Sequence, residues 1–189
     1  MRWRRPGLAC LAALLCAATG AAAQAQDAGR FEIRNAYVER ANGEWLLDVR
    51  LDLALAKAAR QAFDEGVPLV LELEAEASVE RRFLPDETVA SLTRQWQLAY
   101  DAISQRYVVT DTASGEQATH GTQADALAAL AHLPAIRVAD EATLPPDARF
   151  GMRVRASVEI GELPAAIKML LFWRSWSRST DWYAWNVRP

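Results

Sequence analysis

The chain has 189 residues, of which 51% are hydrophobic and 24% charged, with 9 Gly and 8 Pro. These proportions exclude a disordered chain, a collagen-like repeat and a disulfide-dense mini-protein, and the length suits one domain with its own core. A formal net charge of −3 also speaks against general nucleic-acid binding, which needs a basic excess to neutralise phosphates.

The first residues read as an address and not as fold. Arg2, Arg4 and Arg5 form a positive start, Gly7 to Ala18 is apolar, and small-residue A-x-A sites follow at Ala21–Ala23 and Ala23–Ala25. That order predicts a secretory signal peptide over residues 1–25, cleaved, with a single β-rich periplasmic domain over 26–189. The apolar run falls short of the roughly 20 residues a spanning helix needs. Cleavage would remove Cys10 and Cys16, so the mature chain would hold no thiol for catalysis, metal binding or a disulfide. It would also carry 18 basic against 24 acidic residues.

Beyond the leader, the elements follow in order. Phe31 to Glu39 reads as a strand that turns at Asn42-Gly43, a hairpin dipeptide. Trp45, Leu47, Val49, Leu51 and Leu53 make one face of the return strand, with Glu44, Asp48, Arg50 and Asp52 on the other. Ala54 to Glu65 reads as an alanine-rich helix ended by Gly66. Then Leu71, Leu73, Ala75, Ala77 and Val79 alternate with Glu72, Glu74, Glu76, Ser78 and Glu80, a strand whose glutamates face solvent. Leu92, Arg94, Trp96, Leu98 and Tyr100 line up on a further strand, joined through Asp101–Gln105 to one holding Tyr107 and Val109.

Thr122 and Asp125 resemble a capping box that opens a helix through Leu127, Leu130 and Leu133, stopped by Pro134. Ala139 to Ala148 reads as a loop. Phe150, Met152, Val154, Ala156, Val158 and Ile160 alternate with charged and small residues, and Thr180 to Val187 reads as a closing strand. Between them, Pro164 to Trp173 suits a third helix. One wetted and one apolar face per strand implies antiparallel sheet. The expected fold is therefore mainly β with two or three short helices, an antiparallel sandwich-like single domain of seven strands, with Leu71, Leu73, Val154 and Val158 in one core.

Catalytic patterns are scarce. His120, read in a loop, and His132, read late in a helix, lack the spacing of a zinc pair, so no metal or cofactor is expected. There is no G-x-S-x-G elbow and no glycine-rich phosphate loop. Asp86, Glu87 and Asp101 are the carboxylates most suited to hydrolysis of an envelope polymer, although a turn position explains each of them.

The C-terminal segment 163–189 differs from the rest of the chain. It sets Lys168, Arg174, Arg178 and Arg188 against Asp181 alone, and interleaves Phe172, Trp173, Trp176, Trp182, Tyr183 and Trp185. Trp and Arg together are the composition of membrane interfaces and of binding hot spots. The expected contact residues are Lys168, Trp173, Arg174, Trp176 and Arg178, with Trp182 or Trp185 in the core.

The order of landmarks resembles the proteobacterial exported family catalogued as domain of unknown function 4390. Gly66-Val67-Pro68-Leu69, Leu98-Ala99-Tyr100-Asp101 before Tyr107, Ala126-Leu127 to Leu130, Leu163-Pro164 and Asp181-Trp182-Tyr183-Ala184-Trp185 carry the resemblance, which spans the mature chain. It implies an exported protein with no catalytic residue to carry over. Members of that family are often encoded beside a membrane sensor kinase of the nitrogen-regulation type, and by that context the resemblance implies a signalling partner in the envelope. The expected function is a non-enzymatic periplasmic domain that binds a protein partner or the inner-membrane surface. The alternatives are a carrier of an apolar ligand between the sheets, and the carboxylate hydrolase.

Overall fold

The computed structural model describes residues 29–79, 81, 86–144, 149–161 and 177–187. Ten strands and two helices lie within them. β1 (Arg30–Ala41) and β2 (Glu44–Ala54) form the first hairpin, closed by Asn42 and Gly43 at φ 55° and 82°. Both central residues thus take the left-handed turn that matches strand twist, which is why this dipeptide stands there. β3 (Leu69–Val79), β4 (Glu87–Asp101), β5 (Arg106–Asp111) and β6 (Gln117–His120) run on as an antiparallel meander.

β7 (His132–Asp140) returns to pair with β2, and β8 (Phe150–Ile160) pairs with β3. β9 (Ser177–Ser179) and β10 (Tyr183–Val187) both pair with β8. The result is a three-stranded sheet, β1-β2-β7, and a seven-stranded sheet ordered β10-β8-β3-β4-β5-β6 with β9 beside β8.

The period-two faces meet between the sheets. Leu47, Val49 and Leu51 from β2 pack against Leu71, Leu73, Val154, Ala156 and Val158 of the large sheet, all in one buried cluster. The four residues expected to share a core do so. A smaller cluster closes the end that holds the first hairpin turn, where Trp45 meets Phe150 edge-on at 5.1 Å and donates its Nε1–H to Leu144 O at 2.7 Å.

α1 (Lys57–Asp64) and α2 (Gln123–Leu130) cover the space that the small sheet leaves open. In α1, Ala59, Ala62 and Phe63 are buried, and the Phe63 ring stacks on Tyr107 at 5.6 Å. Thr122 caps α2 by accepting the Asp125 N–H at 3.1 Å, as its spacing predicts.

Three expectations change here. The second helix ends at Leu130, so Leu133, Pro134 and His132 belong to β7, a strand that begins where a helix had been expected to continue. Proline is tolerated in β7 because this edge strand pairs only with β2 and bulges at that point. The loop expected from Ala139 starts later, after Asp140. Third, β6, β7 and β9 raise the strand count above seven. The expected third helix, Pro164–Trp173, lies outside the described residues.

Candidate interaction surface

Strand registers bring several chain junctions to one end of the sandwich. β3 begins at Leu69, opposite both Ile160 at the end of β8 and Leu98 near the end of β4. Gly161 donates its N–H to Pro68 O at 2.8 Å there, and Ser177 rejoins the sheet opposite Glu159. Gly161 and Ser177, which flank residues 162–176 in sequence, therefore both lie at this end. Gly29, where the described chain begins, lies beside it, because its carbonyl accepts an Arg178 Nη1–H at 3.4 Å.

The β4–β5 hairpin projects past the same end, and Ile103 at its tip is 98% exposed. Asp101 holds that tip by accepting the Ser104 hydroxyl at 2.8 Å and the Ile103 N–H at 2.9 Å. These hydrogen bonds keep its carboxyl below the usual aspartate range, and they supply a turn role for Asp101.

Arg178 is the one expected contact residue that the structure describes. It is exposed on β9, opposite Val158. Lys168, Trp173, Arg174 and Trp176 lie outside the described residues. The C-terminal strand is anchored just beyond: Thr180 donates its N–H to Ala156 O at 2.8 Å and its hydroxyl oxygen accepts the Ala156 N–H at 3.1 Å.

The outer face of the large sheet is more ordered than a solvated glutamate row. Glu74 and Glu76 stand directly opposite Arg155 and Arg153, and pair with them at 2.6 and 2.5 Å. Glu72 accepts from Gln95 Nε2 at 2.6 Å on the neighbouring strand. Above the pairs lies Trp182, with the guanidinium carbons of Arg153 and Arg155 at 4.6 and 4.8 Å from its ring centroid.

The two tryptophans of the closing strand thus divide. Trp185 opposes Met152 and packs against both core clusters, whereas Trp182 belongs to the outer face. Its phase follows from the strand, since Tyr183, Trp185 and Val187 take the inward positions. Next to the pairs runs a shallow groove of about 480 Å³ that includes Ser78, Asp86, Thr88, Gly151 and Asn186. Sequence reasoning missed this platform. The alternation of Glu72–Glu76 and of Arg153–Arg155 was visible, but which strand lies beside which was not.

The candidate carboxylates do not converge. Asp86 and Glu87 sit at the start of β4 and Asp101 at its end, roughly 40–50 Å apart at the rise of a β-strand. Glu87 pairs with Arg81. His120 ends β6, and His132 in β7 contacts Asp48 Oδ2 through Nε2 at 3.1 Å. Among the described residues no group of three or more His, Cys, Asp or Glu is placed to hold a metal.

No curated protein and no solved structure matches this chain. The family described as a domain of unknown function, DUF4390, matches residues 28–186, from the edge of β1 to within β10. Since that match covers most of the chain, taking in both helices and reaching every strand described above, the chain belongs to the DUF4390 family.

Proposed function

We propose that the protein is exported to the periplasm by a cleaved signal peptide and acts there by binding, docked at the inner-membrane surface. One observation carries this reading. The same end of the sandwich holds Gly29, both junctions of segment 162–176, Arg178 and the exposed Ile103. In sequence, Lys168, Trp173, Arg174 and Trp176 fall between Gly161 and Ser177, the two junctions at that end. Indole rings favour the headgroup level, and each basic residue near an anionic surface adds about 1 kcal/mol of attraction.

Liposome flotation with the purified protein tests the reading. Vesicles with anionic lipid should carry the protein up, less so as salt rises, and Arg174→Glu with Arg178→Glu should abolish flotation. Equal flotation of that variant, or none by the wild type, refutes membrane docking.

A protein partner is the second reading, favoured by the Trp182–Arg153–Arg155 platform. Trp and Arg dominate binding hot spots, and here both are held in place before any partner arrives. Its mark is a crosslink in intact cells that Trp182→Ala removes while the protein does not float with lipid.

A further inference from the structure

The sheets part along the side where β7 faces β4 and β5. A cleft of about 340 Å³ opens there, walled by Trp96, Val109, Leu130, Leu133 and Ile136. Two arginines and His132 also line it; Arg137 is paired with Glu44 and Asp140, and His132 with Asp48, which leaves Arg94. Arg94 pairs in register with Leu73, a fully buried core residue, so its side chain leaves β4 on the inner face of the sheet. Its Nη2 donates to Asp111 Oδ2, and its Nε is shut off from water with no acceptor among the described residues. A guanidinium carries five N–H donors, so one carboxylate oxygen leaves most of them unspent. Asp111 has little more to give, because its Oδ1 already accepts the Ala113 and Ser114 N–H groups at 2.9 and 3.2 Å. The Arg94 side chain is still 28% exposed, so its free Nη donors can take an acceptor that enters the cleft, while Nε stays closed to water.

A separate observation comes from the opposite wall. The β2–β7 register passes from Leu47↔Ile136 to Val49↔Leu133, which sets Pro134 and Ala135 together against Asp48. Ala135 takes φ 54°, a left-handed conformation that strains a non-glycine residue. Both bulge residues line the cleft. Bulges and strained backbone of this kind gather where a strand is re-aimed beside a binding site.

We propose that this cleft binds a single-chain fatty carboxylate, its acyl chain between Trp96, Leu130, Leu133 and Ile136 and its head on the donors of Arg94 that Asp111 leaves free. The volume lies at the low end for ligand pockets, which selects a medium chain over a diacyl lipid. The head is a carboxylate because the planar guanidinium fork matches it. The site lies between the sheets and uses none of the residues assigned to membrane docking.

Calorimetric titration of the purified protein with hexanoate, octanoate, decanoate and dodecanoate, below their micelle concentrations, tests it. Affinity should rise about fourfold per methylene, the equivalent of about 0.8 kcal/mol, and then level off once the cleft is full. Arg94→Leu should weaken decanoate at least tenfold and leave decanol unchanged. Ile136→Trp, which fills the cleft while the large sheet keeps Arg94 and Asp111, should abolish both. Circular dichroism melting confirms that each variant is folded. Undetectable decanoate binding by the wild type overturns the proposal. So does affinity that climbs through dodecanoate without levelling while Ile136→Trp still binds, which marks surface adsorption. If Arg94→Leu does not fold, Ile136→Trp and the decanoate-to-decanol ratio of the wild type decide alone. Equal affinity for acid and alcohol then counts against the carboxylate site.

Discussion

Leu73 and Glu74 are neighbours on β3 that live in different media. Leu73 is fully buried between the sheets, while Glu74 faces outward, paired with Arg155, with 29% of its side chain exposed. Replacing Leu73 with Ala removes buried methyl groups and leaves a cavity, at a cost of about 2–5 kcal/mol. Glu74→Ala breaks an ion pair that water still reaches, so it should cost under about 1 kcal/mol. Urea unfolding of the two variants measures the contrast. Equal midpoints would mean that β3 is one residue out of phase. Phase was legible here because each strand residue chooses its medium independently of distant sequence. Trp182 shows the converse: its position beside Arg153 and Arg155 depends on β10 pairing with β8, which the tail's own residues do not encode.

Asp111 ends β5 and governs the turn into β6. Burial by itself would push its carboxyl up, but the hydrogen bond from Arg94 and those from the Ser114 and Ala113 N–H groups together outweigh burial and hold it below the usual range. Its folded value thus lies below the unfolded one, near 3.9. The stability it contributes is complete above the unfolded value and is lost as the pH falls through the folded one. Asp111→Asn should therefore destabilise the protein at neutral pH, and the gap to wild type should close as the pH falls below about 4. Urea titrations at neutral and acidic pH measure this. A gap that stays constant with pH would show that the side chain acts through its shape alone. The β4–β5 hairpin and the cap of α2 could be read in advance, since turn and cap chemistry is local. β7 could not. Its helix-like approach through Leu127 and Leu130 gives way at Ala131, where the carbonyl accepts the Leu51 N–H at 2.8 Å, a contact with a strand some eighty residues earlier in the chain.

For the whole molecule, the expected export has a direct readout. Mass spectrometry of the protein recovered from the cell envelope should find the mature chain starting near Gln24 or Gln26. Recovery of the intact Met1 end would refute cleavage.

Local patterning was enough to read the strand phases, the antiparallel class and the first hairpin turn. All of these follow from interactions within a few residues, or from the preference of each side chain for oil or water. Tertiary structure alone decided the two-sheet partition, the edge position of β7 and the gathering of chain junctions at one end. It also brought Asp111 to Arg94, and Trp182 over two arginines. Those features depend on which strands become neighbours. Pairing between distant strands is selected by the fit of the whole core and by the entropy of closing long loops, and no local pattern carries that information.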